Sequence, residues 1–101
     1  MFEENKLVIG ILKLTIHIGG MTSLKDKRRV IKSLLDKAKV KFNASAAETG
    51  RQDEWNVCEM GFSCVSNEAS HADSMLSAIF RFIEFDARVE IIDSQSELIH
   101  Y

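Results

Sequence analysis

From Val8 to Ile18 every second residue is apolar or glycine, and polar residues enter only between them. Val8, Leu12, Leu14, Ile16 and Ile18 share one side with Gly10, while Ile9, Ile11, Lys13, Thr15 and His17 share the other. A period of two over that length demands a β-strand with one strongly apolar face. Gly19-Gly20 then ends the run, and the spacing changes at once. From Leu24 onward the apolar positions are Leu24, Ile31, Leu34, Leu35, Ala38 and Phe42, at helical intervals. Thr22-Ser23 precede them, with Asp26 three residues after Ser23, so an N-cap is expected there and a helix over about 24–41.

The rest of the chain repeats this alternation of elements. Asn43 to Thr49, with three alanines, predicts an edge strand, and Gly50 to Glu54 a turn. Trp55 to Val65 predicts a strand with Cys58, Met60, Phe62 and Cys64 on one face. Ser66 or Asn67 is the expected cap of a second helix over about 68–85, with Ala69, Ala72, Leu76, Ile79 and Ile83 as its apolar stripe. Val89 to Leu98 reads as a last strand, polar enough for an edge. The order is therefore β-α-β-β-α-β. With right-handed crossovers it predicts an α+β, ferredoxin-like sandwich: a four-stranded antiparallel sheet with two helices on one face. One domain over 1–101 is expected, with 1–6 as a flexible extension. The bare sheet face would carry Ile9, Ile11, Val57 and Val65, enough aliphatic surface to suggest a homodimer interface.

No apolar run approaches the roughly 18 residues that span a bilayer, and no secretory pattern opens the chain, so a cytoplasmic location is expected and no membrane partner. Cys58 and Cys64, on one strand face, would lie about 20 Å apart, too far for a disulfide. Cys and His residues do not cluster, so neither a metal nor another cofactor is expected. His17, His71 and His100 are scattered without a neighbouring nucleophile pattern, and no glycine-rich phosphate loop is present. These absences argue against an enzyme and for a binding or assembly role.

Charge is the remaining signal. Lys25 to Lys41 holds eight basic and two acidic residues, a net +6, so the remainder carries −8 within the total of −2. On a helical wheel Lys25, Arg28, Arg29, Lys32 and Lys39 share roughly 100° of arc, with Asp36 the one acid among them. Such a stripe suits phosphate neutralisation, as well as simple solvation of a helix face. A second cluster, Glu48, Arg51, Gln52, Asp53 and Trp55, places an aromatic among charged and amide groups, a pattern fit for stacking on a base or anchoring a partner, as well as for a tryptophan that simply packs on its neighbour at a strand start.

The run Ser23-Leu24-Lys25-Asp26-Lys27-Arg28-Arg29-Val30-Ile31-Lys32-Ser33-Leu34-Leu35 resembles the helix signature of the YlxP-like family, small bacterial proteins of unknown function. The resemblance continues through Lys41-Phe42-Asn43, Glu48, Gln52-Asp53-x-Trp55, Glu59-x-Gly61 and Val65-Ser66-Asn67, over roughly residues 8 to 98. It departs at Gly50 and Arg51, where the family usually has an acidic residue and His or Tyr, and at Asn56, where it has Gln. An arginine can still stack on a base. The resemblance implies a ferredoxin-like fold. The family's genes often lie near those for translation and ribosome maturation, including ribosome-binding factor A, which implies rRNA or the ribosome as a partner. It implies no catalytic residue.

Overall fold

The computed structural model describes residues 6–101. Its elements follow the order β1 (Val8–Ile18), α1 (Leu24–Phe42), β2 (Ser45–Gly50), β3 (Val57–Ser66), α2 (Ala69–Glu84) and β4 (Val89–His100). The strands form one antiparallel sheet in the order β2-β3-β1-β4, so the two most apolar strands lie at its centre. This is the expected α+β ferredoxin-like arrangement, with both helices on one face. All but Lys6 of the expected N-terminal extension lies outside the described residues. Among the described residues no helix is long and apolar enough to cross a membrane.

The alternation of β1 becomes a burial pattern. Val8, Leu12, Leu14, Ile16 and Ile18 are buried under the helices, opposite Cys58, Met60, Phe62 and Cys64 of β3. Ile31, Leu34, Leu35 and Ala38 of α1 and Ala72, Leu76, Ile79 and Ile83 of α2 close the core from above. Leu24 and Phe42, expected in the core face of α1, are only half-buried at its ends. Gly10 sits on the covered side, where any side chain would crowd its neighbours: a Cβ there would meet Cys64 Sγ at 3.0 Å and Leu76 at 3.2 Å. Its absence lets α2 lie close on β1.

Four local expectations are corrected. Asn43 is not in β2; it closes α1 in the left-handed conformation, φ 50°, which asparagine tolerates because its side chain is short and polar. Gly50 belongs to β2, not to the turn. Trp55 precedes β3, which begins at Val57. The cap residue of α2 is Glu68, with no side-chain cap bond, while Ser66 Oγ accepts from the Glu68 N–H at 3.1 Å just before the helix. The β1–β4 register shifts between Thr15 and Ile16, and Ile92 is the unpaired extra residue, exposed on the edge strand.

Candidate nucleic-acid interface

The start of α1 is held firmly. Ser23 Oγ accepts from the Asp26 N–H at 3.1 Å, and Thr22 Oγ1 donates to Asp26 Oδ2 at 2.7 Å. The Thr22 hydroxyl, with help from Ser23 and the Arg29 charge, holds the Asp26 carboxyl below its usual range. A negative first-turn side chain also complements the helix dipole.

From that start, Lys25, Arg28, Arg29, Lys32 and Lys39 all project to solvent. Lys32 pairs with Asp36 at 2.7 Å, and its hydrogen bond holds the Asp36 carboxyl below its usual range. Lys25, Arg28, Arg29 and Lys39 make no ion pair among the described residues. None of the five lines the groove between the two helices, so the stripe occupies the flank of α1 turned away from α2.

Lys27, in the middle of this basic run, behaves differently. It is 1% exposed. Its Nζ donates to the Arg51 carbonyl oxygen at 2.7 Å and lies 3.2 Å from Glu48 Oε2. The second contact is ionic without hydrogen-bond alignment, since Glu48 Oε2 has no bonded donor. A lysine takes a buried place only with such partners. The consequence is positional: Lys27 ties the β2–β3 hairpin tip to the first turns of α1. The tip's other strut is the Ile18 N–H bonding the Asn56 carbonyl at 2.8 Å.

The tip residues divide accordingly. Glu48 faces the helices and serves Lys27, so it is not part of an exposed patch. Arg51, at φ 59°, directs its guanidinium to both carboxylate oxygens of Glu54, at 2.8 and 3.0 Å. That pairing raises the arginine's affinity for its proton and lowers that of Glu54. Gln52, Asp53 and Trp55 are exposed, Trp55 by 52%. The first cations of the stripe, Lys25, Arg28 and Arg29, and the hairpin tip, far apart in the chain, therefore lie at one end of α1, while Lys39 lies in its last turn. Periodicity carried a signal for the joint: Lys27, Ile31, Leu34 and Ala38 recur at intervals of four, three and four.

The open sheet face is less uniform than expected. Ile9 pairs with Val65 on one side and Ile99 on the other, and Ile11 follows two residues on. Val57 lies at the far end of the sheet, opposite His17. Lys13 and Glu59, 3.5 Å apart, lie between the two ends. The apolar row is therefore Val65–Ile9–Ile99 with Ile11, and Val57 stands apart from it.

Other chemistry is sparse. Cys58 and Cys64 are buried free thiols. Burial, reinforced by the Glu48 carboxylate, pushes the Cys58 thiol up to about 12, and burial also raises Cys64. The structure does bring one hydroxyl to an imidazole, Ser66 Oγ to His71 Nδ1 at 2.9 Å on the surface. No carboxylate bonds the other ring nitrogen among the described residues, so the pair lacks the third group that orients a catalytic base. No group of three or more metal-ligating side chains occurs among the described residues.

The profile of the family described as "Protein of unknown function (DUF503)" matches residues 9–96. The "Uncharacterized protein YlxP" of Bacillus subtilis (strain 168) is 31% identical over 90 residues, spanning 89% of this chain and 98% of that protein. Among solved structures, the "De novo designed protein Foldit4" aligns over 96% of this chain and 97% of its own, at 17% identity and a TM-score of 0.47.

Proposed function

The chain belongs to the DUF503 family, and from that premise we propose that it is an RNA-binding module that meets ribosomal RNA through the α1 end of the molecule. The observation that carries the reading is the buried Lys27, which ties the hairpin that leads into the exposed Trp55 to the start of a helix bearing unpaired cations. Cations neutralise phosphates without regard to sequence, and a half-exposed indole offers a face to an unstacked base. The two together favour a single-stranded or loop segment of RNA over a duplex, whose bases are already stacked. Phosphate contacts fall to Lys25, Arg28, Arg29, Lys32 and Lys39, and stacking to Trp55. Counterion release at the contacted phosphates makes affinity fall as salt rises, while the −8 carried by the rest of the chain opposes binding at long range until salt screens it.

Co-sedimentation with ribosomal subunits and 16S rRNA fragments across a salt series tests this. Wild-type protein should pellet with RNA at low salt and release as salt rises, and a variant with Arg28, Arg29 and Lys32 all changed to Glu should stay in the supernatant. Equal pelleting of the two proteins would remove α1 from the interface. Trp55→Ala should weaken binding by about 1–3 kcal/mol if a base stacks there.

A second reading rests on the Val65–Ile9–Ile99 row, where Val65 is 65% exposed. It makes the open sheet face a homodimer contact and leaves α1 free, so both roles are compatible. Sedimentation equilibrium at high micromolar concentration decides it: a dimer that Ile9→Lys disperses supports the contact, and a monomer removes it.

A further inference from the structure

The α1 stripe and the hairpin tip leave one exposed region unexplained. On the outer surface of the helix layer, the last turns of α1 and α2 enclose a groove formed by two adjoining concavities of about 480 and 420 Å³. They share Lys41 and Phe82. Phe42 and Phe82 meet edge to face across it with ring centroids 5.6 Å apart. At its margins Val40 is 87% exposed and Phe85 91% exposed, a state that neither the core nor the fold requires.

The charges around this apolar floor are mainly basic. Lys37, Lys41 and Arg81 line it. The acid that also lines it, Asp36, is bonded to Lys32. Asp86, just beyond α2, is bonded to Arg88 at 2.7 Å. With three cations against the single lining acid Asp36, the groove offers net positive charge beside aromatic and aliphatic surface. Both walls are helices, whose backbone groups are satisfied internally, so an extended segment would find no edge to pair with. A helix brings its own backbone bonds. Ala78, Arg81, Phe82 and Phe85 recur at the i, i+3, i+4, i+7 spacing that spans about 10 Å, the reach of two turns of a docked helix.

We propose that this groove is a docking site for an acidic amphipathic helix of a partner protein. Its apolar residues would enter between Val40, Phe82 and Phe85, and its carboxylates would face Lys37, Lys41 and Arg81. The site lies off the stripe flank of α1, so one molecule can hold RNA and this partner together.

The test uses a panel of labelled helical peptides of roughly 16 residues, with Leu or Trp at the i, i+3, i+4, i+7 positions, Glu beside them and Ala elsewhere. A matched panel carries Lys in place of Glu. Fluorescence anisotropy and amide chemical-shift mapping on the full chain supply the readout. Acidic members should bind saturably at micromolar to sub-millimolar Kd and shift Val40, Phe82 and Phe85. Phe85→Glu, at an exposed position, should leave the thermal transition unchanged and raise Kd about tenfold or more, as should the Lys37→Glu/Lys41→Glu pair. Phe85→Glu keeps every cation of α1 and should still bind rRNA fragments, so failure here is distinct from failure of the RNA reading. No acidic peptide binding below about 1 mM would sink the proposal. So would equal binding of the lysine panel, or the same shifts produced only by phosphatidylserine vesicles, by rRNA, or by a second copy in a dimer that Phe85→Glu disperses.

Discussion

Replacing Lys27 with methionine isolates the joint between α1 and the hairpin tip. Methionine keeps the unbranched stem and roughly its volume, so packing changes little. Two interactions are lost: the charge-assisted hydrogen bond to the Arg51 carbonyl at 2.7 Å and the ion pair with Glu48 at 3.2 Å. The first contributes about 1.5–3 kcal/mol. The second loss strands a largely buried carboxylate, and breaking such a pair by removing one member costs about 3–5 kcal/mol in all. For a chain of this size that lowers the Tm by at least about 12 °C. Removing both charges, Lys27→Met with Glu48→Leu, leaves no stranded ion and should recover about 2 kcal/mol or more of the loss. Urea unfolding followed by circular dichroism yields the four corners of that cycle. Amide hydrogen exchange at 51–56 should accelerate in Lys27→Met while the centre of β1 stays protected. The reasoning fails if Lys27→Met loses less than about 1 kcal/mol, or if the Lys27 and Glu48 effects simply add.

Three further outcomes follow from the same structure. The Cys58 thiol is raised in the fold from its ordinary 9.0 to about 12, so the folded chain keeps a proton that the unfolded chain releases. Its contribution is complete below about pH 9 and is lost as pH rises toward 12, which chemical denaturation across that window should register as falling stability. At pH 8 both thiols should resist a disulfide reagent until urea opens the fold, and rapid native labelling would contradict their burial. Ser23→Ala should lower stability by about 0.5–2 kcal/mol through loss of the α1 cap, whereas Asn67→Ala, which removes no cap, should stay within about 0.5 kcal/mol by the same melts.

Much of this architecture was legible before any coordinates. The alternation of β1 and β3 and the helical stripes of Ile31–Ala38 and Ala72–Ile83 express backbone periodicity, which sequence carries directly. Boundaries set by single-residue conformations were harder. Asn43 reads as the start of a strand until its left-handed φ is known, and Ser66 reads as a cap until the chain turns at Glu68 instead. The candidate site was half visible. The cationic stripe could be placed on a wheel, but Lys27 hid within it because lysine ordinarily marks a solvent position. Its partner Glu48 looked like a surface acid for the same reason. That the Trp55 tip meets α1 depends on this long-range pair, which no local pattern states. Ile99 joined the open-face row only through the β1–β4 register, and the extra residue Ile92 shifts that register unpredictably.

The central claim is that the outer flank of α1 binds RNA phosphates, and the salt dependence of binding to a labelled 16S rRNA loop fragment tests it most directly. With three to five cations engaged, log K against log salt should fall with a slope of about −2 to −3.5 for wild-type protein. The Arg28→Glu/Arg29→Glu/Lys32→Glu variant should show no measurable binding at the lowest salt. A flat wild-type slope, or equal affinity for the two proteins, would contradict the account and return the stripe to a solvated helix face.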